Sequence, residues 1–237
     1  MKNKNYKQKN TTIMICLLAL AVCAIFAGTT YAFLSAQLTG NDGLINTFVS
    51  SSGLIDPTVP TGESEDYNFN LKESKVKMNS TNNAYIADPD ANPQYTKTNT
   101  YENVTPGMSI YKDPMLSVNI KDQASVYVYV EIVDNSNNFI YQPDDAWTVL
   151  KDGSNNNVVG AQNGTVYVYN SGNPVVGTSS YDIANAHIIK NDTITAKDNL
   201  TTTGNNQLGT INIYAYVGQS SGFVGAWEAY NNLFKNN

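Results

Sequence analysis

Residues 126–133, with the sequence VYVYVEIV, narrow the folds open to this chain more than any other segment. Successive side chains of a β-strand point to opposite faces of a sheet, so this run presents one wholly apolar face and one face rich in tyrosine. A helix would mix the two sets. The apolar face comprises Val126, Val128, Val130 and Ile132, and the opposite face comprises Tyr127, Tyr129 and Glu131.

The same alternation recurs along the chain and predicts further strands between turn residues. Thr105, Pro106 and Gly107 predict a tight turn, because Pro fixes φ at one position and Gly accepts a positive φ at the next. Many short strands with one apolar face predict an all-β fold, a two-sheet sandwich of jelly-roll or Greek-key type. The other predicted strands are 67–71, 115–120, 165–169 and 210–217.

Two segments depart from this pattern. Residues 225–234 carry Trp227, Tyr230 and Phe234 at about helical spacing, which predicts a short amphipathic helix that caps an open end of the sandwich. Residues 78–103 are polar and lack a clear period, which predicts a long surface loop or hairpin arm.

The first 32 residues have the organisation of a secretory signal peptide. Residues 1–10 are basic and polar, residues 13–27 are continuously apolar, and the small residues Thr30 and Ala32 follow at the −3 and −1 positions. Cleavage is predicted between Ala32 and Phe33. The alternative is a transmembrane anchor, but the apolar run is shorter than the roughly 20 residues that a spanning helix needs.

Composition limits the chemistry of the mature chain. Both cysteines, Cys16 and Cys23, lie in the apolar run, so the mature chain is expected to have no disulfide, thiolate metal site or catalytic thiol. Arginine is absent, and after residue 32 ten lysines face 20 acidic residues. This acidic balance argues against nucleic acid as a partner, because phosphate binding depends on clustered Lys and Arg.

Several short stretches resemble the TasA/camelysin family of exported proteins in Gram-positive bacteria. Gly28-Thr-Thr-Tyr-Ala-Phe-Leu-Ser35 resembles the family's G-T-x-A-F start, although the turn at Gly53 comes one residue later than in the family pattern. The other matching stretches are Asn46-Thr-Phe-Val49, Gly53-Leu-Ile-Asp56, the P-G turn and strand in 105–120, the Y-V-x-V strand in 125–133, and the closing strand and A-W helix in 211–230.

The resemblance implies a jelly-roll subunit of extracellular biofilm-matrix fibres, exported through a dedicated ER-type signal peptidase. It further implies assembly by strand donation, in which the mature N-terminal segment of one subunit completes a sheet of the next. An extended segment can add to an exposed sheet edge, and a head-to-tail contact propagates into a filament. The alternative is that this segment folds onto its own sheet or stays disordered. The expected donor residues are Phe33, Leu34, Ala36 and Leu38.

Some camelysin members are metalloproteases, so the resemblance also raises the possibility of a catalytic zinc site. Such a site needs about three protein ligands, usually including His. His187 is the only histidine and lies in an alternating apolar context, which favours a half-buried strand residue over a ligand. The run of Asp88, Asp90 and Asn92 resembles the start of a calcium loop, but Pro93 occupies the position where an EF-hand requires Gly. A polar turn is predicted there instead, and no metal or cofactor site is expected.

The predicted organisation is therefore a signal peptide at 1–32, an N-terminal donor segment at 33–48 and a β-sandwich domain at 49–237. The expected function is a secreted, non-enzymatic matrix-fibre subunit whose partners are copies of itself and other matrix proteins. Two alternatives stay open, a monomeric cell-surface binding module and a camelysin-type metalloprotease. A binding module would use its loops or a tyrosine surface formed by Tyr127, Tyr129, Tyr167, Tyr169, Tyr214 and Tyr216.

Overall fold

The computed structural model describes residues 47–54, 67–120, 123–178, 182–202 and 207–235. Within these ranges the chain forms sixteen β-strands and ends in one short helix. The strands are β1 (Thr47–Leu54), β2 (Tyr67–Ser74), β3 (Val76–Met78), β4 (Ala84–Ala87), β5 (Tyr95–Thr96), β6 (Thr98–Glu102), β7 (Ser109–Tyr111), β8 (Met115–Ile120), β9 (Ser125–Asp134), β10 (Phe139–Ile140), β11 (Trp147–Val149), β12 (Thr165–Tyr169), β13 (Val175–Val176), β14 (Ile183–His187), β15 (Thr193–Ala196) and β16 (Gln207–Gln219).

The strands form the all-β sandwich that the sequence predicts. One layer is a seven-stranded sheet in the order β11-β12-β9-β16-β1-β6, with β13 also beside β9. The other layer has two smaller sheets, β10-β15-β7-β4-β3 and β14-β8-β2-β5. Neighbours such as β1 and β16 are far apart in sequence, as in Greek-key folds. Two pairs, β1 with β16 and β4 with β7, are parallel, and the other strand pairs are antiparallel.

The two smaller sheets are successive parts of the same strand paths. β2 continues into β3, β8 follows β7, and β15 follows β14, each across a short connection. We call these connections, at residues 75, 112–114 and 188–192, the break. Side chains from both smaller sheets and from the seven-stranded sheet belong to one hydrophobic core, so the break interrupts hydrogen bonding without dividing the core.

The alternation of β9 sorts its side chains as the sequence predicts. Val126, Val128, Val130 and Ile132 are buried in the core between the layers. The neighbouring strand β16 contributes to the same core in the same way, because its alternate residues face the same side of the sheet. Its alternate core residues are Ile211, Ile213, Ala215 and Val217, and Leu208 joins the same core from beyond a register shift in the pairing with β1.

The predicted C-terminal helix is present as α1 (Ala226–Tyr230), which continues into a π-helical turn, Asn231–Lys235. It packs on the outer face of the seven-stranded sheet rather than at an open end of the sandwich. Ala226, Ala229, Tyr230 and Phe234 form a second core there with Tyr129 and other residues of that face. In the part of the chain that is described, no helix is long and apolar enough to cross a membrane.

Residues 78–103 are not one long surface loop, because the segment contains β4, β5 and β6, and β4 forms an antiparallel hairpin with β3. Tyr85 and Tyr101 are buried and their rings meet edge to face, with centroids 4.9 Å apart. Asn99 is also buried, since its amide donates to the Ser74 carbonyl at 2.8 Å. Because the buried position 99 is occupied by asparagine, the alternation of β6 is not visible as a pattern of apolar residues.

The predicted turn at 105–107 is confirmed. Gly107 has a φ of +74°, and the Met108 amide donates to the Thr105 carbonyl at 3.1 Å. A side chain at position 107 would be strained in this left-handed conformation, which is why Gly is suited to it.

Candidate functional site

The residues predicted for cleavage and strand donation lie outside the described part of the chain. They are Ala32 and Phe33 at the cleavage site, and Phe33, Leu34, Ala36 and Leu38 in the donor segment. The first described element is β1, which pairs in parallel with β16 and antiparallel with β6. Thr47 and Phe48, predicted as the end of the N-terminal segment, are the first two residues of this strand.

The six tyrosines considered as a binding surface do not form one. Tyr127, Tyr129 and Tyr216 are buried beneath α1, and Tyr214 is partly buried against the same cluster. Tyr167 and Tyr169 are half-buried and pack against the core between the layers, on the opposite face of the sheet. The strand register explains the separation, because Tyr167 lies opposite Val130 and Val168 lies opposite Tyr129. Directly opposed residues share a face, so Tyr167 and Tyr129 point to opposite sides of the sheet, and the two groups of tyrosines are separated.

Glu131 is a fully buried carboxylate at the centre of this second core. Its Oε1 accepts hydrogen bonds from the backbone N–H groups of Gln162, at 2.9 Å, and Gly164, at 2.7 Å. Its Oε2 accepts a hydrogen bond from the Tyr216 hydroxyl at 2.7 Å. Gly160 lies so close to the carboxylate that a Cβ there would overlap it. Glu131 therefore fixes the loop before β12 against the sheet, which is a structural role.

Burial controls the ionisation of the tyrosines around Glu131. Desolvation is the main cause that raises the pKa of Tyr129 and Tyr216 well above the usual value, and the hydrogen bond to Glu131 raises that of Tyr216 further. Burial, followed by the charge of Glu131, raises the pKa of Tyr230 to about 12. In this core the neutral phenol is therefore the stable form.

These shifts predict the alkaline limit of the fold. A tyrosine whose folded-state pKa exceeds its unfolded value of about 10 contributes stability below that pH and loses the contribution as the pH rises towards the folded value. The chain is expected to lose stability from about pH 10 upward. Tyrosinate absorbance and near-ultraviolet circular dichroism, recorded together during an alkaline titration, should change in one cooperative step for the buried tyrosines. Ionisation of all tyrosines before any loss of circular dichroism would contradict the prediction.

A second buried polar cluster lies at the break. Lys112 Nζ and Glu73 Oε2 are 2.7 Å apart, and both side chains are fully buried. The neighbouring Asp113 is also buried and accepts hydrogen bonds from the Ser74 amide at 2.7 Å and the Ser74 hydroxyl at 2.6 Å. These pairs join the end of β2 to the connection between β7 and β8, where strand pairing changes from one small sheet to the other.

His187 is the last residue of β14 and is half-buried, as the sequence analysis predicted. Its Nδ1 lies 2.6 Å from Oδ1 of Asp192, in the turn before β15. Both residues line an open cavity of about 300 Å³, together with Asp144, Ala146 and Tyr169. The cavity lies beside the break, where the connection at residues 188–192 contributes to its lining. Among all described regions, it is the place where a histidine, carboxylates and an aromatic ring converge.

Sequence reasoning identified His187 but missed its neighbours. Asp192 follows His187 by five residues, and this short separation was the only feature of the sequence that suggested a contact between the two side chains. Its side chain returns to His187 because Asn191 and Asp192 both have a positive φ, 58° and 52°. Tyr169 comes from the opposite layer, and no local pattern relates it to the histidine.

Metal ligation finds no support in the described residues, where no group of three or more His, Cys, Asp or Glu side chains is arranged to hold an ion. In the segment that resembles a calcium loop, Asp88 and Asp90 both pair with Lys77, at 2.8 and 2.9 Å. The hydrogen bond from Lys77 is the main cause that lowers the pKa of Asp88. The segment is therefore a polar turn held by a lysine.

The chain matches no protein-family model and no curated protein. The resemblance to the TasA/camelysin family thus stays a prediction that rests on the residue patterns quoted above.

Proposed function

We propose that the chain is a secreted structural subunit of extracellular matrix fibres, and that its N-terminal segment adds to a sheet of the next subunit. The role includes no catalytic step. The partners are further copies of the chain, together with other matrix proteins, and a signal peptidase acts during export. The acidic balance of the mature chain supports an assembly without nucleic acid.

The observation that carries the proposal is the edge strand β6. Six strands end the three sheets, and four of them, β3, β5, β10 and β11, have only two or three residues. β14 has five residues, but a register shift and a positive φ at Asn185 interrupt it. β6 has five residues in unbroken register with β1, and the backbone groups of Thr98 and Glu102 also bond to the side chains of Thr96 and Tyr85. An edge strand of this kind is a template for pairing with another chain.

The length and side-chain pattern of β6 suit an added strand. Its five residues could pair with five of the six residues from Phe33 to Leu38, which contain the expected donor residues. Asn99 and Tyr101 point into the protein, whereas Thr98, Thr100 and Glu102 are exposed. Backbone hydrogen bonds would supply affinity, and the alternate apolar side chains of the donor would supply fit. β1 lies on the inner side of β6, so the donor would become the next strand outward.

Electron microscopy tests the assembly. A chain that begins at Phe33 is expected to form filaments, and a chain that begins at Asn46 is expected to stay monomeric, because it lacks the donor. A matched pair of substitutions tests the alternation: Leu38→Glu should abolish filaments, whereas Gln37→Glu, on the opposite face of the donor, should leave them intact. Monomers from both lengths across salt, pH and concentration would contradict the proposal and favour the monomeric binding module.

Disulfide trapping tests the acceptor edge. The mature chain has no cysteine, so Gln37→Cys combined with Thr100→Cys introduces one pair on the outward face, which strand donation to β6 would bring together between subunits. Oxidation is expected to give a ladder of linked oligomers on a non-reducing gel. The control combines Gln37→Cys with Ile140→Cys, which places an exposed cysteine on the edge strand β10. If filaments formed but only the control variant gave a ladder, β10 and not β6 would be the acceptor strand.

A further inference from the structure

The cavity beside His187 lies between the two layers of the sandwich. Tyr169, the last residue of β12, and the loop residues Asp144 and Ala146 form one wall. His187 and Asp192 form the other wall. A volume of about 300 Å³ is at the lower end of the range for small-molecule sites, so it suits a ligand of about one ring.

Hydrogen bonds hold the two walls in place. The Trp147 indole N–H donates to the His187 carbonyl at 2.8 Å, and the Trp147 ring meets Tyr169 edge to face at 5.2 Å. The Asp144 amide donates to the Ile188 carbonyl at 2.9 Å. Trp147 is itself buried, so its contacts fix both walls from behind. A site held in this way binds with little loss of conformational entropy.

Several polar groups in the cavity have unused hydrogen-bonding capacity. Since Asp192 Oδ1 is the partner of His187 Nδ1, a neutral imidazole carries its proton on Nδ1 and presents Nε2 as an acceptor. In the described parts of the chain, Nε2 of His187, Oδ2 of Asp192 and the Tyr169 hydroxyl make no hydrogen bond. The lining of the cavity therefore combines acceptors, a phenolic donor and an aromatic ring.

We propose that this cavity binds an uncharged sugar, one hexopyranose unit of a larger saccharide. Vicinal hydroxyls both donate and accept hydrogen bonds, as the free groups require, and a pyranose has an apolar face that can pack on a tyrosine ring. The carboxylates of Asp144 and Asp192 disfavour an anionic ligand. Lys190, whose neighbours Ile189 and Asn191 line the cavity, is already paired with Asp145 at 2.7 Å. This site is separate from fibre assembly and does not depend on it.

Saturation-transfer NMR and titration of amide chemical shifts test the proposal on the purified chain as cells produce it. The probes are methyl glucopyranoside, methyl galactopyranoside and N-acetylglucosamine, with glucuronate as the anionic comparison. At least one uncharged sugar is expected to bind saturably, with a Kd on the order of millimolar for a ligand of this size. Glucuronate is expected to bind more weakly because of the two carboxylates.

Two substitutions locate the binding. Asp192→Asn and Tyr169→Phe each remove one hydrogen-bonding function while keeping the shape of the side chain, and each is expected to weaken binding about tenfold. Asp198→Asn and Tyr95→Phe make the same chemical changes outside the cavity and are expected to leave the affinity unchanged. The melting temperatures of all four variants report whether the fold is intact. No saturable binding of any uncharged sugar, tighter binding of glucuronate, or equal losses in the control variants would each overturn the proposal.

Discussion

Replacing Glu131 with Ala is expected to lower the free energy of unfolding by about 3–5 kcal/mol. The substitution removes the acceptor for the Gln162 and Gly164 amides and for the Tyr216 hydroxyl. The Gly164 amide and Tyr216 are buried, so water does not readily replace the carboxylate. A buried donor without an acceptor costs about 1–3 kcal/mol, and this variant leaves more than one. Urea denaturation followed by circular dichroism measures the change.

Two further variants test whether the loss of unfolding free energy comes from the missing hydrogen-bond acceptor or from the loss of any glutamate. Glu131→Gln keeps an oxygen acceptor for the two amides and is expected to cost about 1–2 kcal/mol. Glu102→Ala removes an exposed side chain and is expected to change stability by less than about 0.5 kcal/mol. If Glu131→Ala were as stable as Glu102→Ala, water or a shifted loop would have to satisfy the orphaned donors, and the structural role of Glu131 would be wrong.

Replacing Lys112 with Met is expected to destabilise the chain by about 3–5 kcal/mol. Both side chains of the Lys112–Glu73 pair are fully buried, so the substitution leaves the Glu73 carboxylate in the protein interior without its ammonium partner. Among the described residues Glu73 Oε1 already has no hydrogen-bond partner, which leaves few groups to compensate. The midpoint of urea unfolding is expected to fall, because the buried carboxylate is left without a partner.

The double variant Lys112→Met with Glu73→Leu provides the decisive control. Replacing both members of a buried ion pair by apolar residues of similar volume is often neutral or stabilising, because the cost of desolvating two charges disappears. The double variant is therefore expected to recover most of the stability that Lys112→Met loses. If the double variant were less stable than Lys112→Met, the attraction between Lys112 and Glu73 would outweigh the cost of desolvating the two charges. The ion pair would then stabilise the break more than apolar residues of similar volume can.

Some features of the fold follow from short stretches of sequence. The faces of β9, the turn at Gly107 and the helix around Tyr230 were each predictable, because they depend on residues within about ten positions of each other. The half-buried state of His187 was predictable for the same reason. The segment 78–103 was not, because Asn99 is buried through a hydrogen bond to Ser74, a residue that is distant in sequence.

The candidate sites depend on longer separations and could be predicted only in part. Glu73 and Lys112 are 39 positions apart, and nothing in either local sequence marks them as a pair. Tyr216 reaches Glu131 across 85 positions. The cavity beside His187 joins both layers, so it exists only once β12 and β14 have packed against the same core.

Alternation by itself determined that this chain forms strands and which side chains of each strand share a face, since the two directions of a pleated strand are a local property of the backbone. Tertiary structure alone decided what covers each face. The pairing of Tyr167 with Val130 placed two groups of tyrosines on opposite sides of one sheet, and α1 then buried one of those groups. The physical reason is that strand register and order are set by contacts between distant segments, which local periodicity does not encode.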